Sequence, residues 1–264
     1  MELGKTNPKI KYLRKLSRRQ FRQQENTFII EGIRFVEELL GSDWIVKGLF
    51  YSTKLLDNDR GKTLLTEAEK QKVHCYQVSE QLLSDIADTD NPQGILAMVK
   101  MPSFQLQDAW QQQKPSLVVL VDGVQDPGNL GTIIRTADAA AASGVLLLKG
   151  TVDLYNPKTL RATMGSLFHL PVVPVENAEE TINLLRSGGI KLVIGQPQGG
   201  EPIHKIDLIG SVALVVGSEA NGPSEETIAA ADLVATIPMP GNAESLNAAV
   251  AGAIMMYEAV RQRN

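Results

Sequence analysis

Polar side chains that could carry chemistry are concentrated between Asp122 and Asp138, where an apolar run passes into a helical pattern. The run before it, 117–121, is short and rich in valine, as expected of a strand covered on both faces of a parallel sheet. The connection contains Pro127, Gly128 and Asn129. Ligands bind open α/β sheets in the crevice at the carboxyl ends of the strands, so this turn is where we expect a site.

Two later segments combine glycine or proline with polar side chains. One is Gly217–Gly222, which contains Glu219, and the other is Ile237–Asn247, which contains Ser245. These two segments and the first are the candidates for a functional site.

Common motifs for dinucleotide binding, phosphate binding, metal binding and hydrolysis are absent or incomplete in this sequence. No two glycines are separated by a single residue, which excludes the G-x-G-x-x-G dinucleotide motif. Gly61-Lys62-Thr63 resembles the end of a phosphate-binding loop, but Leu56 occupies the position of its first glycine. The three histidines are scattered and accompany one cysteine, so we expect no metal. Ser245 lacks a nearby histidine and a G-x-S-x-G elbow, which argues against a hydrolase nucleophile.

The bulk composition indicates an ordinary globular protein of a reducing compartment. With 264 residues, 43% of them hydrophobic, the chain has room for one large or two modest domains with a genuine core. The single Cys75 excludes an internal disulfide framework. No apolar run approaches the ~20 residues of a membrane span, and the first residues lack the apolar core of a signal peptide. We therefore expect a cytoplasmic protein.

The net charge of −4 conceals a basic segment, the basic head, with no acid between Glu2 and Glu25. Such a cluster can neutralise several phosphates, although an isolated charge run is more often a solvated helix face. The cations of this segment that are candidates for contact with a nucleic acid such as RNA are Lys11, Arg14, Lys15, Arg18, Arg19 and Arg22.

The elements that position these segments divide into two domains. Residues 1–105 predict a smaller αβ domain, with helices at 7–23, 32–40, 62–71 and 80–87 and strands at 27–30, 46–51, 73–78 and 94–99. The stretch 101–115 is rich in proline and glutamine and has no clear apolar period. It predicts a linker between the domains, which we assign to residues 106–115.

From 116 to 264, apolar strands alternate with helical patterns, which predicts an α/β fold with a mostly parallel sheet. The predicted strands are 117–121, 145–148, 172–175, 190–194, 212–216 and 233–237. The last predicted helix, 245–260, is apolar around most of its circumference. It is expected either in the core or across a subunit interface.

The three polar segments together resemble the SpoU (TrmH) branch of the SPOUT superfamily, the knotted RNA ribose 2′-O-methyltransferases. The likeness spans 117–256, with motifs at 129–137, 214–222 and 237–249 and an intermediate run at 158–168. The first domain is similar to the small ribosomal-protein-like RNA-binding domain of many members, especially at 28–32 and 91–94.

The resemblance implies a catalytic domain with a trefoil knot, which chains normally avoid. It also implies S-adenosylmethionine as cofactor. Gly217, Ile237 and Leu246 match the family's cofactor contacts, and Met239 is an expected neighbour. A glycine allows close backbone approach, while core packing is the other interpretation of Ile237 and Leu246.

The resemblance implies that Arg135 is the main catalytic residue. Asn129, Glu219, Ser245 and Asn247 are the other polar residues that it places in the active site. A guanidinium, with a pKa above about 12, is a very poor base, so we expect Arg135 to clamp phosphate and ribose and to stabilise the emerging alkoxide. Structural alternatives remain for the others: Asn129 as a turn residue, Glu219 as a helix-start acid, and Ser245 or Asn247 as a cap of the last helix.

The resemblance thus implies an S-adenosylmethionine-dependent RNA 2′-O-methyltransferase that forms a homodimer, and the two-domain layout favours 23S ribosomal RNA over tRNA as its substrate. A non-catalytic RNA-binding or ribosome-assembly protein is an alternative, and antibiotic self-protection a weaker one.

Overall fold

The computed structural model describes residues 2–111 and 113–264. The helices are α1 (Pro8–Lys15), α2 (Arg19–Glu25), α3 (Ile33–Leu40), α4 (Thr53–Leu56), α5 (Asp59–Lys70), α6 (Glu80–Ser84), α7 (Pro127–Ala139), α8 (Pro157–Thr163), α9 (Ala178–Ser187), α10 (Glu225–Ala229) and α11 (Ala248–Arg263). The strands are β1 (Thr27–Glu31), β2 (Val46–Tyr51), β3 (Cys75–Gln77), β4 (Ile95–Lys100), β5 (Leu117–Asp122), β6 (Gly144–Leu147), β7 (Val172–Pro174), β8 (Lys191–Gly195), β9 (Glu201–Pro202), β10 (Val212–Gly217) and β11 (Leu233–Thr236).

The chain forms two compact units. The first contains the residues up to Ser103 together with Tyr155–Phe168, and the second contains Phe104–Leu154 and His169–Asn264. The stretch 106–115, predicted as a linker, contributes the buried residues Ala109 and Trp110 to the core of the second unit.

The first unit is built on a four-stranded sheet in the order β1-β4-β2-β3. β4 is antiparallel to β1 and β2, and β3 is parallel to β2. One face of α1 is apolar, and its Ile10 and Leu13 are buried against the sheet. That burial leaves the lysines and arginines of α1 on the opposite, exposed side.

Aromatic contacts explain why Tyr155–Phe168 belongs to the first unit, although the segment lies between β6 and β7 in sequence. The ring of Tyr155 lies 4.6 Å from that of the buried Phe28. Phe168 contacts Phe35 and Trp44, with ring centroids 5.3 and 5.1 Å apart. Burial of these large rings removes apolar area from water and holds α8 in this unit.

The second unit contains a seven-stranded sheet in the order β7-β6-β5-β10-β8-β11-β9, in which every described pairing is parallel. The predicted parallel α/β fold is therefore confirmed. β10 lies between β5 and β8, and β11 lies between β8 and β9, so the chain re-enters a sheet that its earlier strands have formed. This order is consistent with the predicted trefoil knot, which stays a prediction.

α11 packs one side on the sheet and leaves the other exposed. Gly252, Met255, Met256 and Ala259 are buried, and the helix contacts α7, β8 and β10. Its exposed side is also apolar, and Tyr257 is 69% exposed. None of the described helices is both long and apolar enough to cross a membrane.

The end of α11 is tied to the loop before β10. Gln262 Nε2 donates to the Ile206 carbonyl (2.9 Å), and its Oε1 accepts from the Leu208 backbone N–H (2.8 Å). Glu258 accepts hydrogen bonds from both Arg261 and Gln262. The Arg261 guanidinium is the main reason that the pKa of Glu258 falls to about 2.

Because its folded-state pKa is depressed, Glu258 contributes stability that is present above the ordinary glutamate pKa and is lost as the pH falls through about 2. We predict that Glu258→Gln lowers the free energy of unfolding by about 1–2 kcal/mol at neutral pH. The difference from wild type should shrink as the pH falls below 4.5, the ordinary pKa of a glutamate side chain. Urea unfolding across the acidic range measures it. The exposed Glu201→Gln should show no such trend, and a Glu258 difference independent of pH would contradict the assignment.

Candidate active site

A cavity of about 500 Å³ opens at the carboxyl ends of β8, β10 and β11. The four residues predicted to contact a cofactor, Gly217, Ile237, Met239 and Leu246, all line it. Glu219 and Ser245 also reach its wall, and Gly252 of α11 closes one side. The volume lies within the usual range for sites of small molecules, and the lining mixes apolar side chains with loop backbone, as such sites do.

Gly217, the last residue of β10, has no room for a side chain. A Cβ atom built there would lie 2.1 Å from the backbone nitrogen of Pro223 and 2.2 Å from the carbonyl carbon of Gly222. The turn folds back on itself because Ser218 and Gly222 exchange backbone hydrogen bonds of 2.9 and 3.0 Å. Only glycine allows this turn to lie against the strand end, and the turn forms part of the cavity wall.

Asp122 fixes the far end of this turn. It is paired in register with Gly217 across β5 and β10 and is 6% exposed. Its Oδ2 accepts hydrogen bonds from both the backbone N–H and the hydroxyl of Ser224, each 2.8 Å long. The sequence did not predict this pairing, because Ser224 lies 102 residues further along the chain.

Asp126, the residue before the proline-containing start of α7, has a structural role. It is the N-cap of α7, and its Oδ1 accepts from the Asn129 backbone N–H at 2.8 Å. The adjacent proline occupies the first turn of α7, where its missing N–H costs nothing.

The side chain of Glu219 joins the turn after β10 to the turn after β5. Its Oε1 accepts from Asn129 Nδ2 at 2.7 Å, and its carboxylate also accepts from the backbone N–H groups of Gln125 (3.2 Å) and Asp126 (3.4 Å). Glu219 lies in a turn and not at a helix start, so that alternative is wrong. Asn129 lies in the first turn of α7 and not in the loop before it, so its alternative role as a turn residue is also wrong.

These hydrogen bonds keep the Glu219 carboxylate ionised. Partial burial by itself would raise its pKa, but the bonds from Asn129 and from the backbone N–H groups of Glu219, Gln125 and Asp126 outweigh that effect and lower the pKa. The site therefore carries a fixed negative charge at neutral pH.

Asn247 connects the third motif to the same group. Its Nδ2 donates to Asn129 Oδ1 at 2.9 Å, while its own Oδ1 caps α11 by accepting from the N–H groups of Ala249 (2.9 Å) and Val250 (3.3 Å). The predicted cap at Asn247 is confirmed, and that at Ser245 is wrong because the helix begins at Ala248. The three motifs thus meet through the hydrogen-bonded chain Glu219–Asn129–Asn247, which we call the amide–carboxylate chain.

Arg135 lies outside both the cavity and this chain. It is exposed on α7, and its side chain has no hydrogen bond or ion pair with any other described residue. Six residues separate it from Asn129, which corresponds to about 9 Å along the helix and about 120° around its axis. Its guanidinium is therefore available to a ligand.

The basic head is exposed with one exception. Lys11, Lys15, Arg18 and Arg19 are exposed, and Arg14 is exposed while lying 3.4 Å from Asp85. Arg22 is 6% exposed, and its Nη1 donates to the carbonyls of Leu16 (3.0 Å) and Ser17 (2.8 Å). This placement supports a structural role for Arg22 and not the RNA contact predicted for it.

Within the described part of the chain, no three His, Cys, Asp or Glu side chains form a group that could hold a metal ion.

Comparison with known families gives a match for each part of the chain. Residues 116–257 match the SpoU rRNA Methylase family, and residues 7–97 match the MRM3-like substrate binding domain. The match to the SpoU rRNA Methylase family includes Tyr155–Phe168, although this segment belongs to the first unit.

Individual relatives match over nearly the full length. The chain is 40% identical to the 23S rRNA (guanosine(2553)-2′-O)-methyltransferase RlmP of Bacillus subtilis, over 95% of each chain. It is 32% identical to the 23S rRNA (uridine(2479)-2′-O)-methyltransferase of Streptomyces viridochromogenes, over 94% of this chain and 87% of that one. The structure of an AdoMet-bound rRNA methyltransferase from Sinorhizobium meliloti superimposes with a TM-score of 0.88 at 35% identity, covering 99% of this chain and 97% of that one.

We predict that Gly217→Ala forces the Ser218–Pro223 turn away from β10. Overpacking of this kind costs about 1–3 kcal/mol, and the dissociation constant for S-adenosylmethionine, the cofactor that the motifs imply, should rise at least about tenfold. Thermal melting and isothermal titration calorimetry measure the two effects. Gly210→Ala is the matched control because a Cβ atom there meets nothing within 4 Å. Normal cofactor binding by Gly217→Ala would show that the turn does not shape the site.

Proposed function

The chain belongs to the SpoU rRNA methylase family, and we propose that it methylates a ribose 2′-hydroxyl of 23S ribosomal RNA at the site formed by the three motifs. It is an RNA 2′-O-methyltransferase that uses S-adenosylmethionine. The observation that carries the proposal is the amide–carboxylate chain, which joins all three motifs beside one cavity.

The cavity fits S-adenosylmethionine. Its wall is formed by the turns after β8, β10 and β11 together with α11, and a side chain at Gly217 or Gly252 would collide with Pro223 or Val216 of that wall. We assign Ile237, Met239 and Leu246 to the apolar contacts and the backbone around Gly217 to the polar ones. When bound, the cofactor supplies a methyl group on a positively charged sulfur.

Methyl transfer requires the 2′-hydroxyl to lose its proton, and negative charge develops on the ribose oxygen. Arg135 is assigned to this charge, because its guanidinium is exposed, unpaired and suited to bidentate contact with phosphate and ribose. A guanidinium is too weak a base to accept the proton of the 2′-hydroxyl. We assign the role of proton acceptor to the RNA or to water. Arg135 then acts by positioning and by electrostatic stabilisation.

The amide–carboxylate chain is assigned a positioning role. Both polar atoms of the Asn129 side chain are engaged, one with Glu219 and one with Asn247. Asn129 therefore holds the start of α7, the turn after β10 and the start of α11 in one arrangement. Ser245 adds a hydroxyl to the cavity wall, where it can orient the ribose.

The first unit supports ribosomal RNA as the substrate. A separate unit with an exposed basic surface can hold a large folded RNA by its phosphates, and recognition of folded RNA depends strongly on shape and phosphate. The two relatives differ in the nucleotide that their names give, one guanosine and one uridine, so the family leaves the base open. A ribosomal RNA substrate also supports the cytoplasm as the proposed location of the protein.

A second copy of the chain is proposed as the partner. Val250, Ile254 and Tyr257 form an exposed apolar stripe on α11, at the spacing of one helix face. The stripe borders a groove of about 400 Å³ with Thr132 of α7. An apolar stripe of this kind on a helix is typical of a subunit interface.

We predict that Arg135→Ala lowers the rate constant for methyl transfer by at least about 100-fold while the affinity for S-adenosylmethionine changes less than about twofold. Transfer of labelled methyl to 23S rRNA, with mapping of the modified nucleotide, and calorimetry measure the two quantities. The matched control is Lys191→Ala, an exposed cation at the other end of β8.

Equal loss of cofactor affinity and turnover in Arg135→Ala would contradict its assignment. Incorporation into tRNA alone would contradict the ribosomal substrate. No incorporation by wild type into either RNA, with cofactor bound, would favour the non-catalytic RNA-binding alternative.

We predict that Tyr257→Asp and Ile254→Asp convert a dimer into a monomer, because a carboxylate in an apolar interface loses its hydration without gaining a partner. Light scattering after size exclusion should give twice the mass of one chain for wild type and one mass for the variants. Ile209→Asp, also at an exposed isoleucine but away from the stripe, should stay dimeric. If the wild-type protein has the mass of one chain, the proposed dimer is refuted.

A further inference from the structure

The first unit contains a cavity of about 420 Å³ that is lined only by residues of that unit. Its walls are the turn between β1 and α3, the loop before β4, and α8 with the residue that follows it. The cavity therefore combines two parts of the sequence, the N-terminal region and the Tyr155–Phe168 segment. The proposed active site uses none of these residues.

The walls of this cavity are fixed by hydrogen bonds. Glu31 accepts from the Asp88 backbone N–H at 2.9 Å and from the Thr89 hydroxyl. Gln93 Oε1 accepts from the Ile33 backbone N–H at 2.8 Å. Arg161 of α8 donates to Asp88 Oδ2 at 2.6 Å. The loop before β4 is thus held on both sides, and the cavity is preformed.

Several polar groups of the lining have no partner. Among the described residues, none forms a hydrogen bond or ion pair with the side chain of Arg34 or Asn91, both of which are exposed. The Nε2 group of Gln93 is also unpaired, since only its Oε1 is used. Apolar surface lies beside them, because Met164 is 43% exposed and Phe35 also lines the cavity.

The charge of the lining is balanced. Arg34 and Arg161 are matched by Glu31 and Asp90, in contrast to the basic head, which is nearly free of acids. A balanced cavity does not select a phosphate. The amide group of Asn91, the unpaired Nε2 donor of Gln93, an available guanidinium and apolar surface suit a flat heteroaromatic ring with a polar edge.

We propose that this cavity holds one unpaired nucleobase of the substrate RNA, with Asn91 and Gln93 reading its edge and Arg34 stacking on its face. The inference rests on the proposed function, because it identifies how the same substrate is recognised. Unpaired bases are the parts of an RNA that proteins read by sequence, whereas phosphates give affinity without sequence information. The first unit therefore divides recognition between the basic head and this cavity.

The loop that leads into the cavity begins at the basic head. Asp85 lies 3.3 Å from Lys5 and 3.4 Å from Arg14, and the same loop continues through Asp88 to Asn91. This loop therefore connects the two surfaces of the first unit that are proposed to contact RNA.

The test is equilibrium binding of full-length 23S rRNA at several salt concentrations, together with methyl transfer. Asn91→Ala and Arg34→Ala should each weaken RNA binding by about tenfold, with unchanged affinity for S-adenosylmethionine. Asn91→Ala removes no charge, so the slope of log affinity against log salt should stay at the wild-type value. Lys15→Ala in the basic head should reduce that slope by about one. Gln81→Ala, an exposed amide of α6 outside the cavity, is the matched control.

Wild-type RNA affinity in both Asn91→Ala and Arg34→Ala would overturn the base site. If wild type methylates the RNA in that case, the proposed function stands without it. Weakened binding in both variants, with no methyl transfer by wild type, would retain the base site and refute the proposed function. Ultraviolet crosslinking of the bound RNA should label peptides that contain 31–35, 89–93 or 161–164, and labelling of other peptides alone would also refute the site.

Discussion

The arrangement of the active site depends on one carboxylate, that of Glu219. It accepts a side-chain hydrogen bond from Asn129 and backbone hydrogen bonds from Gln125 and Asp126, and Asn129 passes the connection on to Asn247. Three loops that are distant in sequence are thereby held in one place. Partial burial alone would raise its pKa, but the hydrogen bonds from these donors favour the ionised carboxylate and lower the pKa. The hydrogen bonds that hold the three loops together therefore also stabilise the negative charge of Glu219.

The parallel sheet makes this meeting possible. β10 lies beside β5 in a register that pairs Gly217 with Asp122, so the turns after the two strands begin at the same edge of the sheet. Gly217 then lets its turn fold back on the strand, and buried Asp122 holds the end of that turn through Ser224. The cofactor cavity is what remains beside this tightly folded loop.

Recognition and chemistry are assigned to different units, yet the sequence does not divide in the same way. Tyr155–Phe168 lies within the region that matches the methylase family, but its rings pack on Phe28, Phe35 and Trp44 of the first unit. Through Arg161 and Met164 it also forms a wall of the cavity in that unit. Part of the region that matches the methylase family thus completes the surface that is proposed to read the RNA.

The sequence by itself determined the type and approximate place of most strands, since apolar runs such as 117–121 and 212–216 are local signals of burial. It also determined the family, because the three motifs are continuous stretches, and the structure then brings the four predicted cofactor contacts to one cavity. Only the tertiary structure decided that Arg22 is buried, that Arg135 stands apart from the amide–carboxylate chain, and that Asp122 holds Ser224. Each of these depends on which residues distant in sequence are brought into contact, and local periodicity carries no information about such contacts.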